Sequence, residues 1–335
     1  MNQKKLLEFV LEHYNLGKLK NFKIVEGGFV NLNIQIFTTK GVYFLREYKH
    51  FFNVRKIKHL NIVLLQLKKQ DFPVAKPMLT KEGESIVELE GKVFSISEYI
   101  KGNKYDFSEK KLINAARTLA KLHKQTIGVP CEHTSIVNVK FEEHYFVGKL
   151  WKNSDSILNQ TLKKNQKSEL DLFIIESIER IKHHNQLFVK DFPHIRERTN
   201  LSMIHGDFWH GQLIFHEHEV ATLIDFDDVK FGLAEYDLVK GVESFIGFPN
   251  KQGFDFKKLR LFLDSYKEVF GEIDIESREV IAFLRISLLH KLHYFVEEWL
   301  FKQQKEEAIR YVNGLLSKLD WIEKHEDEII HEFMK

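Results

Sequence analysis

Leu6, Leu7, Phe9, Val10, His13 and Tyr14 recur at helical spacing within residues 3–15, which predicts an amphipathic opening helix. The pattern then shifts to short apolar runs at 22–25, 32–37 and 42–48, which read as strands. Gly27-Gly28 and a turn at Thr38-Thr39-Lys40-Gly41 separate them. A helical stretch from Asn53 to Lys69 stops before Phe72-Pro73, and two more strands, 85–89 and 92–99, flank the turn at Glu90-Gly91. The first hundred residues are therefore expected to form an antiparallel sheet interrupted by one helix.

After Lys101-Gly102 the period becomes helical. Ser108 is placed to cap a helix running to Lys124, with Leu112, Ala115, Ala116, Leu119, Ala120 and Leu122 on its apolar face. Further helices are expected over 140–152, 166–186, 234–246, 256–270, 277–302 and 305–334, around a strand-rich island from Met203 to Phe226. No internal repeat and no Pro- or Ser-rich linker interrupts this order. The fold class is α+β, with an N-terminal lobe over 1–100, a larger mainly helical lobe over 101–335, and a short hinge near 99–103.

Composition narrows the function classes. The 335 residues are 43% hydrophobic and 29% charged, enough to bury a core and too apolar for a disordered chain. Fifty Lys and Arg against 48 Asp and Glu leave a net charge of +2, which argues against a polybasic nucleic-acid binder. The single cysteine, Cys131, excludes an intrachain disulfide and a thiolate zinc cage, and suits a reducing compartment. The opening stretch is broken by charge and does not read as a signal peptide, and no run approaches the length of a membrane-spanning helix. The expectation is a cytoplasmic protein with no membrane partner, monomeric or homodimeric.

The chemistry concentrates in the island. It reads Met203-Ile204-His205-Gly206-Asp207-Phe208-Trp209-His210-Gly211-Gln212, then, after an apolar strand and a turn, Ala221-Thr222-Leu223-Ile224-Asp225-Phe226-Asp227-Asp228. A hairpin of this kind brings an amide and a carboxylate at facing strand ends within reach of one hard cation, which takes oxygen ligands. Asp207, in a loop, remains available as a base for an attacking hydroxyl. Four histidines, His205, His210, His216 and His218, crowd the same stretch, but they fall on different turns without a cysteine, so a brace and turn residues are expected rather than a zinc site.

His205-Gly206-Asp207, four residues, Gln212, and then Ile224-Asp225-Phe226-Asp227 resemble the signature of the aminoglycoside phosphotransferase and choline kinase superfamily. Gly232 with Tyr236-Asp237-Leu238 matches the Gly…Asp-Leu that the family carries after its metal aspartate. Ser97 to Gly102 looks like the hinge, and Gly27-Gly28 sits where that family has its nucleotide loop. The resemblance implies a bilobal protein-kinase-like fold and an ATP- and Mg²⁺-dependent phosphotransferase acting on a hydroxyl of a small molecule. It further implies Asp207 as catalytic base, and Gln212 and Asp225 as metal ligands with Asp227 as a further or outlying metal carboxylate. By the same resemblance Glu98 and Ile100 offer backbone groups to adenine, Gly27 and Gly28 cover the phosphates, and Arg46 steadies them. Asp237 is expected to shape the catalytic loop.

Three departures accompany the resemblance. Gln212 replaces the usual Asn; Arg46 stands where a phosphate-binding Lys is usual; and Lys58-His59-Leu60-Asn61-Ile62 offers no carboxylate where a Glu partner is expected. They keep open a catalytically weak kinase-fold structural or binding protein, such as the spore-coat proteins this chain also resembles. A protein kinase is disfavoured, because Gly232 and Asp237 follow Asp227 too soon for an activation segment. An Asp-x-Asp sugar transferase is disfavoured by the antiparallel N-terminal part. The basic run at Arg55-Lys56-Ile57-Lys58-His59 and the pair His183-His184 read as solvated helix faces, as does Glu297-Glu298 in the late helix.

Overall fold

A computed structural model describes residues 2–25, 31–48, 53–128, 147–247 and 253–335, with the side chains of 147–153 excepted. Gly27, Gly28, Cys131 and most of the helix expected over 140–152 lie outside the described residues. The described chain divides into two compact units. The first takes in the residues up to Thr118 together with His210–Lys230; the second takes in Leu119–Gly128, the described residues to Trp209, and Phe231–Lys335.

The first unit opens with α1 (Gln3–Glu12), followed by β1 (Leu19–Val25), β2 (Leu32–Thr38), β3 (Val42–Tyr48), α2 (Val54–Lys69), β4 (Val87–Leu89) and β5 (Lys92–Glu98). The sheet is antiparallel, in the order β1-β2-β3-β5-β4. Strand alternation assigns its two faces. Ile34, Ile36, Leu45, Phe94 and Ile96 point to one side and pack on Leu6, Leu7, Val10 and Leu11 of α1. Tyr48 and Val93 point to the other and pack on Ile57 of α2. Arg46 has the parity of Tyr48, so the register alone places it on the α2 face, opposite Asn33 of β2 and Ser95 of β5.

Past β5, Asn103 exchanges backbone hydrogen bonds of 2.7 and 2.8 Å with Phe215 of β7 (Leu213–His216), and β7 pairs antiparallel with β8 (Glu219–Leu223). Gly102 lies against this contact: a Cβ there would meet the Phe215 carbonyl oxygen at 2.5 Å, so no larger residue fits.

The helix α3 (Glu109–Thr126) leads into the second unit, which contains α4 (Val147–Leu162), α5 (Glu169–Asp191), β6 (Ser202–Ile204), the end of β9 (Lys230–Gly232), α6 (Ala234–Ile246), α7 (Phe256–Phe270), α8 (Ser277–Tyr294), α9 (Ala308–Lys324) and α10 (Glu326–Met334). Its core is built on α6 and α8, buried on nearly every side. Two expected helices are corrected. The one expected over 277–302 is α-helical only to Tyr294 and continues as a π-helix from Phe295 to Lys302, and the one expected over 305–334 breaks at His325. Among the described residues no helix is long and apolar enough to cross a membrane.

The pair His183-His184 is also corrected. His183 is exposed and meets Glu323, but His184 is fully buried and sets Nε2 2.8 Å from Asp320. Consecutive helical residues point about 100° apart, so neighbours in sequence need not share a face.

Candidate active site

On the α2 face of the first unit, Arg46 reaches the acidic end of the β7–β8 hairpin. Its Nη1 lies 2.8 Å from Asp227 Oδ1 and 3.4 Å from Asp225 Oδ1, while Nε donates to Asn33 Oδ1 at 3.2 Å. Asp227 is held from three sides. Its other oxygen accepts from the Asn31 amide at 2.8 Å, and Lys56 of α2 donates to its backbone carbonyl at 2.8 Å. Burial works against the Arg46 charge, and Asp227, Tyr48 and Asp225 together more than restore it. Burial, resisted by Arg46 and reinforced by Asp225, pushes the Asp227 carboxyl above the usual range.

The hairpin explains how Gln212 and Asp225 meet. Leu213 pairs with Leu223, and the Ile224 N–H donates to the Gln212 carbonyl at 2.9 Å, so the two residues stand at facing strand ends. The Gln212 side-chain amide donates to Asp225 Oδ2 at 3.1 Å. Asp225 itself has a left-handed backbone (φ 65°), a conformation that costs a non-glycine residue energy and recurs at functional sites. The strand end is thus turned abruptly, and the carboxylate remains more than a third exposed while Arg46 and Asp227 are mostly covered.

This donor set fits a hard divalent cation. Asp225 supplies an exposed carboxylate, and the Gln212 amide oxygen becomes available by rotation of a side chain already at that carboxylate. The longer Gln side chain therefore does not stop residue 212 from reaching Asp225. Asp227 differs from Asp225 in being the more covered carboxylate, its two oxygens held by Arg46 and Asn31 at 2.8 Å each.

The second unit holds Asp207. Gly206, with φ 77°, turns the chain after β6, and buried Asp237 of α6 binds the turn. Its carboxylate accepts the N–H of His205 at 2.8 Å and that of Gly206 at 3.1 Å, and His123 Nε2 lies 3.2 Å away. His123 in turn meets the Tyr266 hydroxyl at 2.7 Å. Burial opposes the charge on Asp237, but His123 and the backbone N–H donors hold its carboxyl below the usual range. The expected loop-shaping role of Asp237 is what the geometry shows. His205, fully buried, accepts from the Asp207 N–H at 3.4 Å, the expected brace. Lys240, one turn past Asp237, binds the Gly206 carbonyl and sets its ammonium 3.5 Å from Asp207 Oδ1.

The structure thus brings Arg46, Gln212, Asp225 and Asp227 together in the first unit, and sets Asp207 on a braced loop in the second. In the stretch expected to be a hinge, the Glu98 N–H is taken by the Lys76 carbonyl at 3.0 Å, so from Glu98 only the carbonyl is a candidate for a nucleotide base; Ile100 follows in irregular chain. Sequence reasoning missed Lys56, which it placed on a wet face, and Lys240. Helical spacing from Asp237 was the available signal for Lys240; nothing local signalled Lys56. Glu297 and Glu298 lie on the surface, both paired with Lys302.

The model of the phosphotransferase enzyme family matches residues 21–268. A homoserine kinase from Bartonella henselae is 22% identical over 303 residues, covering 88% of this chain and 86% of the relative. Among solved structures, spectinomycin phosphotransferase in complex with ADP and spectinomycin superposes with a TM-score of 0.76 at 14% identity, covering 96% of this chain and 98% of that one. A microcompartment-associated aminopropanol kinase superposes with a TM-score of 0.73 at 14% identity and the same coverage. These neighbours share the expected α+β kinase-like fold. The chain belongs to the phosphotransferase enzyme family, and the enzyme class expected from its sequence, a small-molecule kinase with an alcohol acceptor, is borne out with it.

Proposed function

We propose that the chain transfers the terminal phosphoryl group of ATP to the hydroxyl of a small amino alcohol or hydroxy amino acid, with L-homoserine the first candidate. The observation that carries this reading is the acidic strand end, where Asp225 is exposed beside Gln212 and fixed from below by Arg46. The homoserine kinase that matches over most of both chains directs the choice of acceptor.

In this reading Asp207 accepts the hydroxyl proton as the acceptor oxygen attacks, and the braced loop holds that carboxylate in position. Asp225 and Gln212 would hold Mg²⁺, which when bound neutralises phosphate charge. Asp227 serves as the fixed anion that keeps Arg46 extended along the α2 face, and the remaining guanidinium N–H donors of Arg46 face the phosphates.

The test is ADP release with ATP and Mg²⁺ over a panel of L-homoserine, 3-amino-1-propanol, choline and spectinomycin. Turnover of at least one acceptor, reduced by about 1000-fold or more in Asp207→Asn and in Asp225→Ala, is expected. A chain with no turnover on the panel and no Mg²⁺-dependent thermal shift by ATP that Asp225→Ala removes would sink the reading.

A further inference from the structure

The pair His183-His184 has no part in the chemistry described above, and in the helical unit it meets two carboxylates. The histidines lie on α5, while Asp320 and Glu323 lie three positions apart on α9, so the two acids share one face of their helix. His183 Nε2 stands 3.0 Å from both oxygens of Glu323, and His184 Nε2 stands 2.8 Å from Asp320 Oδ1. Arg180, one turn before His184, donates to the other Asp320 oxygen at 2.5 Å. Exposure across the group is graded. His184 has no side-chain exposure, whereas Glu323, Asp320 and His183 have 35%, 39% and 52%. One side of the cluster is therefore held by packing, and the other is open to an ion arriving from solvent.

Three features suit a metal ion better than hydrogen bonds alone. One potential ligand atom from each of His183, His184 and Glu323 lies within 4.8 Å of the other two. Donors around a tetrahedral zinc, bonded at about 2.0–2.1 Å, stand about 3.4 Å apart, so a modest rotation of the open His183 and Glu323 side chains closes the set. Next, one N–H of His183 cannot be directed at both Glu323 oxygens, and a cation between the residues removes that conflict. Finally, with Nε2 of His184 engaged by Asp320, its Nδ1 is buried and finds no partner among the described residues. A histidine ligand usually gives one ring N–H to a carboxylate and its other nitrogen to the metal, and Asp320, itself steadied by Arg180, offers that carboxylate. Burial also favours the neutral imidazole of His184, the form that ligates, against the pull of Asp320.

We propose that His183, His184 and Glu323 bind a zinc-class divalent ion, with Asp320 orienting His184, and that the ion ties α5 to α9. Three protein ligands leave a fourth position for water, which the open side of the cluster admits. The two imidazoles select against Mg²⁺, which prefers oxygen ligands and keeps most of its own water.

The experiment is equilibrium dialysis of the untagged chain against Zn²⁺ in excess Mg²⁺, with Co²⁺ as an optical probe. One zinc per chain is expected, retained in Asp225→Ala, with a Kd of about 10 µM or tighter, and Co²⁺ should give the visible bands of a four-coordinate site. His183→Ala and Glu323→Gln, both on the open side, should each weaken this ion about 100-fold or more, and Asp320→Asn about 10-fold. Saturating zinc should raise the melting midpoint of wild type by about 2–4 °C and leave that of His183→Ala in place. Without zinc, His183→Ala and Glu323→Gln should melt within about 1 °C of wild type, so that a lost ion reports the ligands and not the fold. A wild-type Kd looser than about 10 µM, or zinc held as tightly by both His183→Ala and Glu323→Gln as by wild type, would overturn the proposal.

Discussion

Asp237 offers the most direct test of how the loop carrying Asp207 is held. Its side chain has no solvent exposure and accepts the N–H groups of His205 and Gly206, with His123 as a third partner. Asp237→Asn keeps the shape, but it retains one acceptor oxygen and turns an amide donor toward groups that are themselves donors. Hydrogen bonds to a charged acceptor are worth about 1.5–3 kcal/mol each, so losing one and weakening the other removes about 3–5 kcal/mol. Relief of the desolvation cost of the buried carboxylate returns part of this, leaving a net loss of about 3 kcal/mol. The sign with pH follows from the depressed carboxyl. Its contribution is complete above the ordinary carboxylate range near pH 4, and it is lost as pH falls through the lower folded value. The gap between wild type and variant should therefore narrow in acid. Urea unfolding at pH 7 measures the first quantity, and the same titration repeated down to pH 3 measures the second. Because Asp207 follows the two anchored residues, a displacement of about 1 Å is expected to lower kcat about 100-fold. An unfolding midpoint within about 1 kcal/mol of wild type, together with kcat within about threefold, would refute the assigned role.

Arg46→Lys is expected to lower kcat/KM for ATP by about 10-fold or more, because a lysine cannot meet Asn33, Asp225 and Asp227 together; steady-state kinetics with varied ATP reads this, and unchanged kinetics would remove Arg46 from the phosphate site. In a double-mutant cycle, Arg46→Met and Asp227→Asn should show a coupling energy of about 1–3 kcal/mol in thermal unfolding, and strict additivity would contradict the pairing. Gly102→Ala should cost about 1–3 kcal/mol through overlap with the Phe215 carbonyl, seen as a fall of about 1–4 °C in the melting midpoint; an unshifted midpoint would mean the segment moves aside freely.

Much of the first unit was legible because its signals are local. The strand-like run after the turn at Thr38–Gly41 gave β3 its observed limits, Val42 to Tyr48, and an apolar stripe between Asn53 and Pro73 gave α2. Gln212 and Asp225 were legible through a hairpin of ordinary length. Partnerships across long stretches of chain were not. Lys56 reaches a carbonyl 171 positions away, and Glu243 is held by lysines 48 and 75 positions away. A glutamate reads as surface until the helices around it are packed, because only that packing supplies the cations that make its burial tolerable. His184 was misread for the same reason: its partner Asp320 lies 136 positions on. The end of α8 was missed because a π-helix keeps an apolar, helix-forming sequence and changes only the hydrogen-bond register.

Two of the departures from the family pattern become one change when the α2 face is considered as a unit. A cation on β3 needs a fixed anion to hold it extended, and the family pattern places that anion on the following helix. Here the helix presents Lys56 instead, and the anion comes from Asp227, two residues past Asp225 on the hairpin end. The exchange is consistent in charge, since a carboxylate moved off α2 leaves room for a cation on it, and that cation fixes the backbone of the very residue that took over. It also accounts for the cation being arginine. Asp227 and Asn33 approach from different directions, and a planar guanidinium can donate to both at once, whereas a lysine ammonium reaching Asp227 would leave the Asn33 oxygen without its donor. Arg46 without a helix glutamate is therefore re-anchored on Asp227 and Asn33, and the altered residues support one another, which is what the proposed role of Arg46 at the phosphates requires.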